Sequence, residues 1–283
     1  KAGRASSSIG VGIIGSATKR LGMKDHPPGT AALAEWLGTP AGQYLLAWEQ
    51  AQLDRVVADV FGYHALQIGL PELDALRANR MPHRWVTIEQ PGLPPRSVAL
   101  LAHGDSLPFP ERSLDLVVLP HTLELALDPH QTLAEVERVL MPEGRLVILG
   151  FNSASLWGLR QRLGRVRQAL GGKAPLYLPR PGDFIGYWRL RDWLRLLSFE
   201  VEGGRFGAYR PALTSQRWLD RFAWMDRVGD RWWPVFGSVY MVVAVKRLRG
   251  MRLVGLARND RVKAPAAPAV LTQRRETGHE RET

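Results

Sequence analysis

The chain of 283 residues contains no cysteine. Disulfides, zinc–thiolate centres and thiol nucleophiles are excluded together, and a reducing setting, the cytoplasm, is the expected one. No run approaches the roughly 20 apolar residues that a bilayer-spanning helix needs. The opening KAGRASSSIGVGIIGSATKRLG sets basic residues before a short apolar patch. That patch is glycine-rich and closed by Lys19-Arg20, which is not how a secretory signal is built. A Gly-x-Ser-x-Gly elbow and a P-loop are missing, and the histidines show no metal-ligand spacing: His121 and His130 stand nine apart with no acid in register. Esterase-type, nucleotide-phosphate and metal-centre chemistries lose their usual sequence support.

Acidic residues are the other shortage, 27 against 38 lysines and arginines, for a net charge of +11. From Lys246 to Thr283, ten basic residues face four acidic ones, so the tail holds more than half of the excess. Such a tail is either simply solvated or drawn to RNA or an anionic membrane surface. Its APAAPAV and QRRETGHERET stretches are too poor in large apolar residues to join a core.

What the chain does have is a 45% hydrophobic composition laid out in short runs. Residues 30–60 read as helix interrupted at Pro40-Ala41-Gly42. In the second part, Leu45, Leu46, Leu53, Val56, Val57 and Val60 form an apolar stripe broken once, by Glu49. HALQIGL (64–70), RWVTIEQ (84–90), SVALLAH (97–103), LDLVVLP (114–120) and GRLVILGF (144–151) have strand length and composition. Between the last two, PHQTLAEVERVLM is a helix whose Leu133, Val136, Val139 and Leu140 share a face and which Pro142-Glu143-Gly144 stops. Continuous apolar runs alternating with helices indicate a parallel sheet covered on both faces. Further strands are expected at 198–207 and 237–246, and a tryptophan-rich insert runs from Gln216 to Pro234. The insert is either a packed cap or an aromatic and basic surface for a lipid-like or aromatic substrate or a membrane interface.

Open parallel sheets bind ligands at the carboxyl ends of their strands. Asp105 and His121, which end successive strands, would both lie there. The segment GDSLPFPERSLDLVVLPHTLELALDPHQTLAEVERVLMPEGRLVILGF, which contains them, resembles the central part of class I S-adenosylmethionine-dependent methyltransferases of the type 11 branch. An acid before Leu-Pro-Phe, a Leu-Asp strand, an Asp-Pro helix start and Arg-Val-Leu-x-Pro-x-Gly-x-Leu are all present. The resemblance implies a seven-stranded, mostly parallel Rossmann-like methyltransferase sheet with helices on both faces and a reversed hairpin at its end. It extends over residues 30–248, with 1–29 an N-terminal extension and 249–283 a basic tail, both expected to be disordered.

The resemblance also implies roles. Asp105 would accept a hydrogen bond from an adenine amino group, with Ser106 and Leu107 lining the base. An acid followed by Leu107-Pro108-Phe109 supplies apolar walls and one edge acceptor for a purine, and the same acid can instead brace a turn. Glu89 would take the ribose hydroxyls or stand as an exposed strand-end carboxylate. Asp115 is expected to be structural. The first strand departs from the family pattern of an acid and a Gly-x-Gly-x-Gly loop: in ALQIGLPEL, Gln67 replaces the acid, Gly69 remains, and Pro71 and Leu73 fill later glycine positions. Pro71 offers no N–H and Leu73 adds bulk, so a weakened hold on the cofactor is expected. His121 would serve as a base toward the acceptor or brace the following helix, and Asn152 would orient substrate. The expected function is S-adenosylmethionine-dependent methyl transfer to a small or lipid-like acceptor. The alternatives are a non-catalytic methyltransferase-like binding protein and, third, an RNA-associated protein.

Overall fold

A computed structural model describes residues 29–89, 100–172, 176–179 and 184–247. The expected N-terminal extension, apart from Gly29, and the expected basic tail lie outside the described residues. The chain opens with two helices, α1 (Gly29–Leu37) and α2 (Pro40–Ala58). The break between them follows from local chemistry. Pro40 takes the first helical position, where a missing N–H costs nothing, and the Thr39 side chain accepts a 3.2 Å hydrogen bond from the Gly42 N–H.

The strands are β1 (His64–Ile68), β2 (His83–Ile88), β3 (Leu100–Leu101), β4 (Leu114–Pro120), β5 (Leu140–Phe151), β6 (Phe199–Gly207) and β7 (Val239–Lys246). They form one seven-stranded sheet in the order β3-β2-β1-β4-β5-β7-β6. The first five pair in parallel, and β7 runs antiparallel to both β5 and β6. This is the expected mostly parallel sheet with a reversed hairpin at one end.

Helices α3 (Thr122–Leu125), α4 (Pro129–Val139), α5 (Leu156–Ala169), α6 (Tyr187–Leu196), α7 (Gln216–Arg221) and α8 (Trp224–Trp232) complete the described elements with a single 3-10 turn, Pro234–Phe236. α4 starts where the sequence places it. Pro129 follows Asp128, whose side chain accepts hydrogen bonds from the N–H groups of His130 and Gln131.

Side-chain alternation along the central strands divides the core in two. Leu116 and Val118 pack with Leu33, Leu45, Leu53 and Trp157 from α1, α2 and α5. Val117 and Leu119 face the other way, onto Leu133 and Val136 of α4 and Leu190 of α6. Both faces of the sheet are therefore covered, as a buried parallel sheet requires. β6, at the edge, carries exposed Glu200, Glu202 and Arg205 and a bulge between Val201 and Gly203. The buried Lys246 ends β7 by donating to the carbonyls of Glu137 and Leu140 and pairing with the Glu137 carboxylate at 2.9 Å. It so places a cation at the C-terminus of α4.

Asp115 proves structural. Its Oδ2 accepts from the N–H groups of both Tyr63 and His64 at 2.9 Å, tying the start of β1 to β4. Asp115→Ala should therefore lower stability by roughly 1.5–3 kcal/mol through loss of charge-assisted hydrogen bonds. Urea denaturation of the two proteins measures it, and an unchanged midpoint would assign β1 docking to side-chain packing alone.

Candidate functional site

The carboxyl ends of β1, β2 and β4 surround a cavity of about 550 Å3. Ile68, Gly69 and Leu70 line it from β1, Thr87 to Glu89 from β2, and Pro120, Thr122 and Leu125 from the end of β4 and α3. Helix α1 closes the opposite side with Thr30, Ala31, Ala34 and Glu35. Most of this wall is apolar, yet three glutamates, Glu35, Glu72 and Glu89, line it, and no lysine or arginine does among the described residues. On a chain of net charge +11, that local inversion favours a ligand bearing positive charge and hydroxyl groups. Partial desolvation by the cavity wall holds the Glu72 carboxyl above the ordinary range.

The loop after β1 has its own architecture. Gly69 adopts φ +78° and Leu70 φ +46°, two successive left-handed residues of which only glycine does so without strain. Gln67 holds this path. Its amide nitrogen lies 3.1, 2.9 and 2.8 Å from the carbonyls of Gly69, Leu70 and Leu73, while its Oε1 accepts from the Ala75 N–H at 3.0 Å. A carboxylate here has no proton to donate to those carbonyls. The replacement of an acid by Gln67 is thus coupled to a loop that folds back on the strand end. Leu73, expected to add bulk toward the ligand, is buried in the core, whereas Pro71 does line the cavity.

A smaller space of about 20 Å3 adjoins the cavity, since Glu89 and Leu125 line both. Asp105 lines this side space with His103 and Asp128. It sits in the turn from His103 to Ser106, closed by the Ser106 N–H donating to the His103 carbonyl at 3.1 Å. The Asp105 carboxylate makes no hydrogen bond among the described residues, so that turn closes without it. Ser106 is exposed and Leu107 is buried; neither lines the cavity or the side space. The Leu107 N–H donates to Glu135 at 2.8 Å, and Arg138, paired with Glu135, donates to the carbonyls of Leu107 and Phe109. Through these bonds α4 fixes the segment that follows Asp105.

His121 lies at the end of β4 but behind the cavity wall. It is 1% exposed, and both ring nitrogens are engaged: Nε2 with Glu49 of α2 at 2.7 Å and Nδ1 with Glu124 of α3 at 3.0 Å. Glu124 in turn accepts from the Phe151 N–H at 2.5 Å, and the Phe151 ring lies 4.2 Å from the imidazole. Burial, the largest single influence, disfavours the charged ring, but the two carboxylates together outweigh it and push its pKa up to about 10. The imidazole is therefore a cation that donates on both sides, and in this geometry it braces α3 rather than meeting an acceptor. Asn152, expected to orient substrate, is likewise spent internally. Its amide nitrogen donates to the carbonyls of Val235 and Gly237, and its oxygen accepts from the Ala154 N–H.

Sequence reasoning missed Glu35, Glu72 and Thr122 on the cavity wall and Glu49 as the partner of His121. Only Glu49 left a signal, as the single break in the apolar stripe of residues 45–60.

Residues 80–148 match the methyltransferase domain family. The chain is 34% identical over 167 residues to the uncharacterized protein YafS of Escherichia coli, covering 59% of this chain and 65% of that one. Over 51 residues it is 43% identical to the ubiquinone/menaquinone biosynthesis C-methyltransferase UbiE of Hahella chejuensis, 18% of this chain and 20% of that one. The chain thus spans just under two thirds of the one relative and a fifth of the other. Among solved structures, an S-adenosylmethionine-dependent methyltransferase from Thermotoga maritima superposes with a TM-score of 0.50 at 13% identity, covering 73% of this chain and 91% of that one. At that identity the likeness concerns the fold.

Two outcomes test the local chemistry. Gln67→Glu should set a carboxylate against three carbonyls and destabilise the protein by roughly 2–4 kcal/mol, while Gln67→Met should cost less; equal stability of Gln67→Glu and the parent would show that the loop holds itself. For His121, the folded pKa of about 10 lies above the ordinary 6.5. The stability it contributes is fully present below about pH 6.5 and is lost as pH rises toward 10. His121→Gln should be less stable by roughly 3–5 kcal/mol at pH 6.5, and the gap should narrow in melts taken toward pH 10. A gap independent of pH would mean that the ring is neutral.

Proposed function

We propose that this chain is an S-adenosylmethionine-dependent methyltransferase acting on a small or lipid-like acceptor, a reading supported by the match of residues 80–148 to the methyltransferase domain family and by the order of the sheet. The observation that carries the reading is the acid-rimmed cavity at the ends of β1, β2 and β4. Its volume of about 550 Å3 suits a ligand of nucleoside size. Its three glutamates suit the sulfonium, the ammonium and the two ribose hydroxyls of such a molecule.

Bound there, the cofactor would supply an electrophilic methyl group for in-line displacement. The protein's own residues bind and orient. Glu89, at the end of β2, receives the ribose hydroxyls, and Asp105 in the side space accepts from the adenine amino group. Gly69 and Leu70 bring the backbone of the β1 loop to the cavity wall. Helix α1 covers the site and limits water. Ser106 and Leu107 act through the backbone that places Asp105. His121 holds α3 against β5 through Glu124, which keeps Thr122 and Leu125 on the wall, and Asn152 fixes the chain after β5. Positioning supplies most of the rate in such a displacement, so an acceptor that needs no deprotonation is the better match to this site.

One observation favours the second reading, a binding protein without turnover. The two residues expected to face the acceptor, His121 and Asn152, are both engaged inside the fold.

Calorimetric titration with S-adenosylmethionine and S-adenosylhomocysteine tests the assignment. Asp105→Ala should weaken binding about 10- to 150-fold, as loss of a charge-assisted hydrogen bond predicts, and Asp105→Asn should lose less. Glu89→Ala should weaken it as well, with melting temperatures unchanged because both side chains stand outside the core. Absence of binding at millimolar ligand in the folded parent would remove the cofactor assignment; unchanged affinity in Asp105→Ala would remove the adenine contact.

A further inference from the structure

A second cavity, of about 530 Å3, opens along the same edge of the sheet, beyond the ends of β5 and β6. Its walls are Leu156 and Leu159 of α5, Met225 and Trp233 around α8, and Phe236 of the 3-10 turn, with Arg162 as its cation. The two elements that flank it share an unusual property: each turns apolar side chains outward.

α5 buries one face, through Trp157 and Gln161, in the fold. Its opposite face carries Leu156, Leu159, Leu163 and Val166, continued by Leu170 at its C-cap, which are 48%, 53%, 52%, 56% and 82% exposed. These positions recur at alternating steps of three and four, so they form a single stripe along the helix. Arg162 and Arg167 stand beside it, exposed, while Arg160 donates to the Ala212 carbonyl and lies over the Tyr177 ring and Arg165 lies over the Phe184 ring; α5 contains no acidic residue. Across the cavity, Trp224, Trp232, Trp233 and Phe236 are between 53% and 69% exposed. Because Leu156, Leu159, Trp233 and Phe236 line the cavity as well as facing solvent, the two apolar patches share its rim.

We propose that this face, α5 with the tryptophans of α8 and the turn after it, docks peripherally on an anionic lipid bilayer. A helix with an apolar stripe beside exposed arginines, joined to exposed tryptophans, is built for the boundary between headgroups and acyl chains. The cavity between the patches then offers a lipid chain an apolar slot, with Arg162 beside an anionic headgroup. The spacing of the stripe would also suit a partner helix. Pairing with a second copy of α5, however, sets Arg162 and Arg167 against the same cations with no acid of α5 between them, whereas phosphate-bearing lipids carry the opposite charge. No described helix is long and apolar enough to cross a membrane. The docking surface stands apart from the methyl-transfer reading, since no residue of the first cavity takes part in it.

Co-sedimentation of the full chain with vesicles tests the proposal. Phosphatidylcholine vesicles containing about a third phosphatidylglycerol should carry the protein down, and pure phosphatidylcholine should carry down at least tenfold less. The pair Leu159→Asp and Leu163→Asp should lower binding to anionic vesicles at least tenfold with an unchanged melting temperature, both side chains being half exposed. If that pair disturbs the fold, Arg162→Glu with Arg167→Glu decides instead, with a loss of at least fivefold expected. Reversing Arg274 and Arg275 to Glu in the tail should leave most of the binding in place. No binding to anionic vesicles, binding indifferent to the α5 variants, or binding lost through the tail variant alone would overturn the proposal. So would a dimer in lipid-free sedimentation that Leu159→Asp and Leu163→Asp convert to monomer.

Discussion

Several elements converge on the buried ion triad of Glu49, His121 and Glu124. It joins α2, which precedes the sheet in the chain, to α3, which leaves the central strand β4. Through the Phe151 N–H it reaches the end of β5 as well. Removing charges from water in a core is costly, and their mutual attraction offsets that cost only when geometry and hydrogen bonding are good. Here the ring donates at both nitrogens, and one oxygen, Oε2 of Glu49, is left buried without a partner. A core of leucines would hold the same elements together. What the triad adds is position: it fixes where α3 begins, and α3 carries part of the cavity wall. The left-handed backbone of His121, φ +53°, fits this account, because a strained residue persists where its surroundings determine it from several sides.

The β1 loop shows the same logic in neutral form. Gln67 performs by hydrogen bonding what an acid cannot: it gathers three carbonyls and one N–H of the segment that follows. An amide carries donors and an acceptor on one rigid plane, so it can close a loop on itself. The cavity wall on this side is therefore made by a folded-back loop that includes Pro71, and by fewer glycines than the family pattern. Both edges of the β1–β4 crevice are thus set by side chains standing behind the wall rather than on it.

This division explains what was legible in the sequence. The sheet could be read because its central strands are mainly apolar runs and α4 has a clear start at Asp128-Pro129; Pro142-Glu143-Gly144, expected to stop that helix, lies instead inside β5, the helix ending at Val139. Gly69, Glu89 and Asp105 were legible as strand-end residues, and the structure sets each of them on the wall of a cavity. Their contacts with a ligand remain part of the proposal. The inward-facing residues were not legible. His121 and Asn152 stand at the right ends of the right strands, but a strand end does not say whether a side chain turns toward the cavity or the core. That is decided by partners distant in sequence, Glu49 for one and the carbonyls of Val235 and Gly237 for the other. The apolar stripe of α5 escaped for a related reason. Its residues look like core in sequence, and only the buried position of Trp157 and Gln161 shows that the core lies on the other side.

The two margins of the sheet have a consequence for the protein at high concentration. A strand at an edge exposes a ladder of N–H and C=O groups that any extended chain can continue. On one side the edge strand comprises, among the described residues, Leu100–Leu101. On the other, β6 interrupts its ladder with a bulge and lifts Glu200, Glu202 and Arg205 into solvent along its length. Among the described residues, neither margin offers a long, regular and apolar template. The described part of each margin therefore works against self-association through sheet extension.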